Sequence, residues 1–147
     1  MAHVRKLIRD NVTTALTGLS ITGSNVFKTR VIPLDKTKLP AICVYANNET
    51  TEYGTINPPR TQMRTLELTA EVYVKGTSDV DDSLDAISVE LEEALYTDLT
   101  RGGYAKDTKI TSFVSDYNAD GEQTVGIGNF TIEVTYVILE NDIESSV

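Results

Sequence analysis

Near the start of the chain, Val4, Leu7, Ile8, Val12, Ala15, Leu16 and Leu19 recur at spacings of three and four. That stripe predicts an amphipathic helix from about Ala2 to Thr17, stopped at Gly18. A β-prone run, Val26 to Val31, follows and ends at Pro33. Ala41-Ile42-Cys43-Val44-Tyr45-Ala46 is almost wholly apolar and bounded by Pro40 and Asn47-Asn48, the pattern of a strand covered on both faces. Leu66, Leu68, Ala70, Val72 and Val74 then alternate with polar residues from Thr65 to Lys75, which predicts a strand with one apolar and one polar face. Gly76-Thr77-Ser78-Asp79 supplies a turn and helix cap, and Val80, Leu84, Ile87, Leu91, Ala94 and Leu95 trace a second amphipathic helix to about Leu99. Asp79, Asp81 and Asp82 suit its first turn, and Gly102-Gly103 closes it. Two further strands are expected, at about Lys109–Tyr117 and Asn129–Leu139, joined through the turn signal Asn118-Ala119-Asp120-Gly121.

The predicted order is α-β-β-β-α-β-β. It describes one α+β domain over residues 1–147: a single, mostly antiparallel β-sheet flanked by two α-helices. Residues 48–62 are polar, contain Gly54 and Pro58-Pro59, and have no usable periodicity, so they form an extended loop or a long hairpin arm. Residues 140–147 form a C-terminal tail.

Length and composition fit this picture. The 147 residues suffice for one core, and 40% hydrophobic with 24% charged residues is the balance of a globular protein. One cysteine allows no intrachain disulfide. No stretch approaches 18 uncharged apolar residues, and the segment Met1 to Lys6 lacks the apolar core of a signal peptide, so a product of the cytoplasm without a membrane helix is expected. The net charge of −9 argues against general affinity for nucleic acid. Its distribution says more. Residues 1–77 carry ten Lys/Arg against six Asp/Glu, a balance of +4, whereas residues 78–147 carry three against sixteen, a balance of −13. Such polarity suits head-to-tail contact between copies, or simply a soluble acidic helix and tail.

Candidate chemistry is sparse. The single histidine, His3, precedes the first helix, where nothing holds a catalytic partner beside it. Cys43 has no basic neighbour in sequence and suits a small buried hydrophobe. One Cys and one His cannot build a zinc site of usual composition. Gly126-Ile127-Gly128 precedes a strand instead of opening a helix, so it is no phosphate cradle. Asp116 to Gly121 matches the first half of a calcium loop, but position twelve is Ile127 where a bidentate Glu belongs; turn chemistry explains it better. No catalytic residue, cofactor or metal is therefore expected. Asp82, Asp85, Glu92 and Glu93 make an acidic helix face, read as a solvated face or, in a ring, as a channel lining that repels DNA. Tyr53, Arg60 and Arg64 belong to or flank the arm and are residue types favoured as interface anchors.

The opening helix Val4-Arg5-Lys6-Leu7-Ile8-Arg9-Asp10, the segment Leu39-Pro40-Ala41-Ile42-Cys43-Val44-Tyr45, the strand Glu67 to Lys75 and the order of elements resemble the tail-terminator, minor tail protein U-like family of long-tailed bacteriophages. The similarity spans nearly the whole chain. It implies a structural virion protein, assembled in the host cytoplasm, that forms a homo-oligomeric, hexameric ring. Such a ring caps the tail tube, stops its elongation and offers a joining surface to the head or neck connector, while DNA passes through without specific binding. It also directs attention to the arm and to the polar strand face Glu67, Glu71 and Lys75 as contacts. Other neck or tail ring proteins, such as a head-tail joining or tube subunit, are the nearest alternatives; a small ligand-binding regulatory domain is the next.

Overall fold

A computed structural model describes residues 3–20, 22–23, 26–28, 40–76, 80–118 and 124–146. Its elements are α1 (Val4–Leu16), β1 (Val26–Phe27), β2 (Ala41–Tyr53), β3 (Thr61–Gly76), α2 (Val80–Tyr96), β4 (Asp107–Asn118), β5 (Thr124–Leu139) and β6 (Asp142–Ser146). The predicted α-β-β-β-α-β-β order is present, with β6 added where a tail was expected. The sheet runs β1-β2-β3-β5-β4, and β6 pairs with β5. All pairings are antiparallel except β1 with β2.

Both helices lie on one face of the sheet. The α1 stripe Val4, Ile8, Val12, Leu16 and the α2 stripe Val80, Leu84, Ile87, Leu91, Leu95 close over Leu66, Leu68, Ala70, Val72 and Val74 of β3 and Phe130, Ile132, Val134, Tyr136 and Ile138 of β5. Each aliphatic side chain withdrawn from water this way contributes roughly 1.5–3 kcal/mol before chain entropy is counted. Ala41 to Val44 are buried on both faces of β2, as a wholly apolar run requires. α1 packs on β2 and β1 and reaches β6, whereas α2 packs on β5, β3 and β4, and the two helices touch each other.

Boundaries moved where tertiary contacts decide them. α2 ends at Tyr96 and not at Leu99. There the Asp98 carboxylate accepts from the Thr100 amide at 2.9 Å and the Gly102 amide at 2.8 Å, which turns the chain. Arg101, fully buried with φ +51°, folds back and donates to the Leu95 and Asp98 carbonyls, supplying cationic capping at the helix C-terminus. β5 starts at Thr124, five residues before the predicted Asn129. The extension passes through Gly126 and Gly128, over which α2 packs so closely that an ideal Cβ on Gly126 would lie 2.0 Å from Val80 Cγ1.

Of the two readings of residues 48–62, the structure takes the hairpin. β2 and β3 pair as far as Tyr53 with Gln62, leaving a tip of residues 54–60. The predicted cap at Thr77-Ser78-Asp79, the strand residues Thr29 to Val31 and the turn Ala119 to Gly121 lie outside the described residues. The partial calcium-loop match is flanked by the strands β4 and β5, not by helices.

Candidate assembly surfaces

The base of the hairpin is tied to α1 by a half-buried ionic network. A bulge at Asn47 shifts the alternation of β2, and Glu49 consequently faces the helices with its side chain 8% exposed. Its carboxylate accepts from Arg5 at 2.6 Å, from Arg64 at 3.4 Å and from the Tyr136 hydroxyl. Arg64 also donates twice to Gln62 Oε1, at 3.1 and 2.8 Å. Arg64 is thus turned inward, its side chain 15% exposed, and serves as an anchor of the hairpin within the subunit. Burial, then the adjacent Glu49 carboxylate, pushes the Tyr136 hydroxyl well above its ordinary value.

Tyr53 and Arg60 meet at the tip. The Arg60 guanidinium lies 4.3 Å from the Tyr53 ring centre and pairs with Glu140 at 2.7 Å, while the Glu140 amide donates to the Arg60 carbonyl at 2.9 Å. The tail segment therefore braces the tip. Tyr53 stays 55% exposed, so a stacked aromatic is held out at the end of the sheet.

The helix-free sheet face carries Glu67 and Glu71. Tyr73 donates to Glu71 at 2.5 Å and Tyr45 donates to it from the other side; Asn47 donates to Glu67 at 3.3 Å and also to Thr69. Burial, followed by the Glu71 hydrogen bond, raises the Tyr73 hydroxyl far above its ordinary value. Lys75 is exposed near the far end of β3. This face is polar but internally bonded, which makes it a fixed surface.

The four acidic candidates on α2 separate into two groups. Asp85 and Glu92, with Ser88, line a groove against Ile110 to Phe113 of β4 and Phe130 of β5. Asp82 and Glu93 are exposed on the helix side away from the buried stripe. α2 contains no Lys or Arg, and none of the four has an ion-pair partner among the described residues.

His3 is the N-cap of α1: its Nδ1 accepts from the Arg5 amide at 3.0 Å. Partial burial and then the Arg5 charge lower its pKa from 6.5, with Arg64 adding and Glu49 opposing. Because the folded value is depressed, the stabilisation is present above pH 6.5 and is lost as pH falls below it. Between pH 7.5 and 5.5 the melting temperature of the wild type should fall more than that of His3→Asn, which caps without titrating. Parallel curves would remove this role. Cys43 is fully buried, and burial with the Glu71 charge pushes its thiol up to about 11. No group of three or more potential metal ligands occurs among the described residues, and no described helix is long and apolar enough to cross a membrane.

The model of the phage minor tail protein U family matches residues 3–136, from the His3 cap through all but the last three residues of β5. The chain belongs to that family. Membership makes it a structural protein of the phage tail and so a component of the virion. A solved chain from "Virion of native gene transfer agent (GTA) particle" is 14% identical, covers 90% of this chain and 92% of its own, and superposes with a TM-score of 0.41. No curated protein matches the sequence significantly. The family match gives no residue roles. Glu49, Gln62 and Tyr136 were missed in the sequence because the bulge at Asn47 reverses which face Glu49 occupies; Phe113-Val114, adjacent apolar residues in an alternating strand, were the overlooked sign of an edge.

Proposed function

We propose that this chain is the tail terminator: a ring-forming subunit, with six copies per ring, that caps the tail tube, stops its elongation and provides the joining surface for the head or neck connector. The family match over residues 3–136 carries the reading. The geometry supports it. The braced hairpin tip with Tyr53 and Arg60 is suited to reach a neighbouring subunit or the tube. Glu67, Glu71 and Lys75 form the polar sheet face available to the same contacts. Exposed acids on α2, Asp82 and Glu93 among them, repel phosphates, as a channel that passes DNA without binding it requires.

Adding the purified protein to elongating tail tubes and measuring tube length by electron microscopy tests this directly. Arrested tubes with a ring at one end are expected; unchanged elongation at stoichiometric excess overturns the proposal. Replacing residues 55–59 with a two-residue turn should change folding stability by less than about 1 kcal/mol, since those residues are exposed. The same change should weaken capping by roughly tenfold or more, because shortening the tip shifts Arg60 relative to the Tyr53 ring and Glu140.

A further inference from the structure

The sheet converts the charge asymmetry of the sequence into an asymmetry in space. Lys28 follows β1, and Lys6 of α1 is brought beside it through Asp10, whereas α2 packs over β5, β3 and β4. On the first side, one carboxylate, Asp10, is shared by Lys6 at 2.7 Å and Lys28 at 3.1 Å, which leaves a positive surplus. On the other, Asp85 and Glu92 line the groove against β4 with no cation near them among the described residues.

Among the described strands β4 is an edge, blunted by an irregularity of register between Ile110 and Ser112. Its pairing among the described strands is with β5 alone, and from Ile110 to Ser115 it carries no charge and no proline. Phe113 is 42% exposed on the helix side of the strand, packed at 4.8 Å on Phe130, and Val114 is 58% exposed on the opposite side. Edge strands ordinarily carry charges, prolines or a cover at such positions, since an open apolar edge recruits another chain. A surface with these two properties fits a partner whose facing edge is basic, and this chain carries such an edge on its opposite side.

We propose that copies of this chain join head to tail, the α2–β4 edge of one receiving the α1–β1 edge of the next. Lys6 and Lys28 then face Asp85 and Glu92, and Phe113 and Val114 are covered in the seam. The contact is heterologous, so repetition closes a ring or propagates, as the rotation dictates. The inference rests on the terminator reading and assigns its lateral contact. It takes Asp85 and Glu92 from the channel to the seam.

Charge exchange tests it. Asp85→Lys/Glu92→Lys has two basic edges, and Lys6→Glu/Lys28→Glu has two acidic ones; circular dichroism and melting verify that each is folded. Ring assembly is scored by native mass spectrometry, both free and on tail tubes. Each variant alone should lose ring formation by at least roughly tenfold, and an equimolar mixture should restore rings in which the two alternate. Val114→Arg, which leaves all four charges in place, should also block assembly. Variants that assemble like the wild type, or a mixture that fails to recover, would overturn the contact while leaving the terminator reading standing. A wild-type protein that forms no ring even on tubes would remove both.

Discussion

Glu49→Leu should destabilise the fold by roughly 2–3 kcal/mol, the effect of breaking a half-buried ionic network from one side. The substitution leaves the Arg64 guanidinium, 15% exposed, without its carboxylate and the fully buried Tyr136 without the acceptor of its hydroxyl. Arg5 contributes less to the loss, because its side chain is 41% exposed and water can replace its partner. For a chain of this size the expected fall in melting temperature is on the order of 10 °C. Glu49→Leu combined with Arg64→Met should lose less than the sum of the single changes, since the second removes the stranded charge. Thermal or urea unfolding measures both. A loss below about 1 kcal/mol for Glu49→Leu would mean that the network is decorative.

The second large effect is expected at Gly126. An added Cβ would meet Val80 Cγ1 at 2.0 Å and Val74 Cγ2 at 3.0 Å, and Val80 is the first residue of α2. Relieving the clash requires Val80 to leave its rotamer or the start of α2 to lift from the sheet. In an open strand, replacing glycine by alanine stabilises by roughly 0.5–1 kcal/mol. Here Gly126→Ala should instead destabilise by about 2–3 kcal/mol, and Gly126→Val by more. Val80→Ala should recover part of the loss in the alanine variant, because it removes the methyl groups in conflict. Hydrogen exchange in the first turns of α2, read with melting curves, gives the test; a neutral or stabilising Gly126→Ala would show that the helix rides higher than described.

These two sites also mark how far the sequence could be read. The stripes of α1 and α2 were legible because burial of one helical face imposes a spacing of three or four, and both stripes are buried. Much of β3 and the later part of β5 were legible because a sheet with helices on one side imposes alternation. The order of elements and the α+β class followed from that pattern; the minor tail protein U family entered as a resemblance and was shown by the match over residues 3–136. The start of β5 was hidden because its glycines report proximity of another element, and nothing local announces that element. β6 was hidden because its exposed, acidic run has no apolar period; it is held by pairing with β5.

The polar residues divide along the same line. Local chemistry alone could name Glu67, Glu71 and Lys75 as one strand face, Tyr53 and Arg60 as neighbours of an arm, and Asp82, Asp85, Glu92 and Glu93 as an acidic helix. Only the tertiary structure turned Arg64 and Glu49 inward, through a one-residue bulge that inverts facing. Only it separated Asp85 and Glu92 from Asp82 and Glu93, because their directions depend on which strand lies beneath α2. The sequence by itself determined the two helices, the interiors of the alternating strands and the total charge asymmetry, since these follow from residue type and spacing. The tertiary structure decided that Lys6 and Lys28 sit by β1 while Asp85 and Glu92 sit by β4, because strand order is set by pairing between residues far apart in the chain.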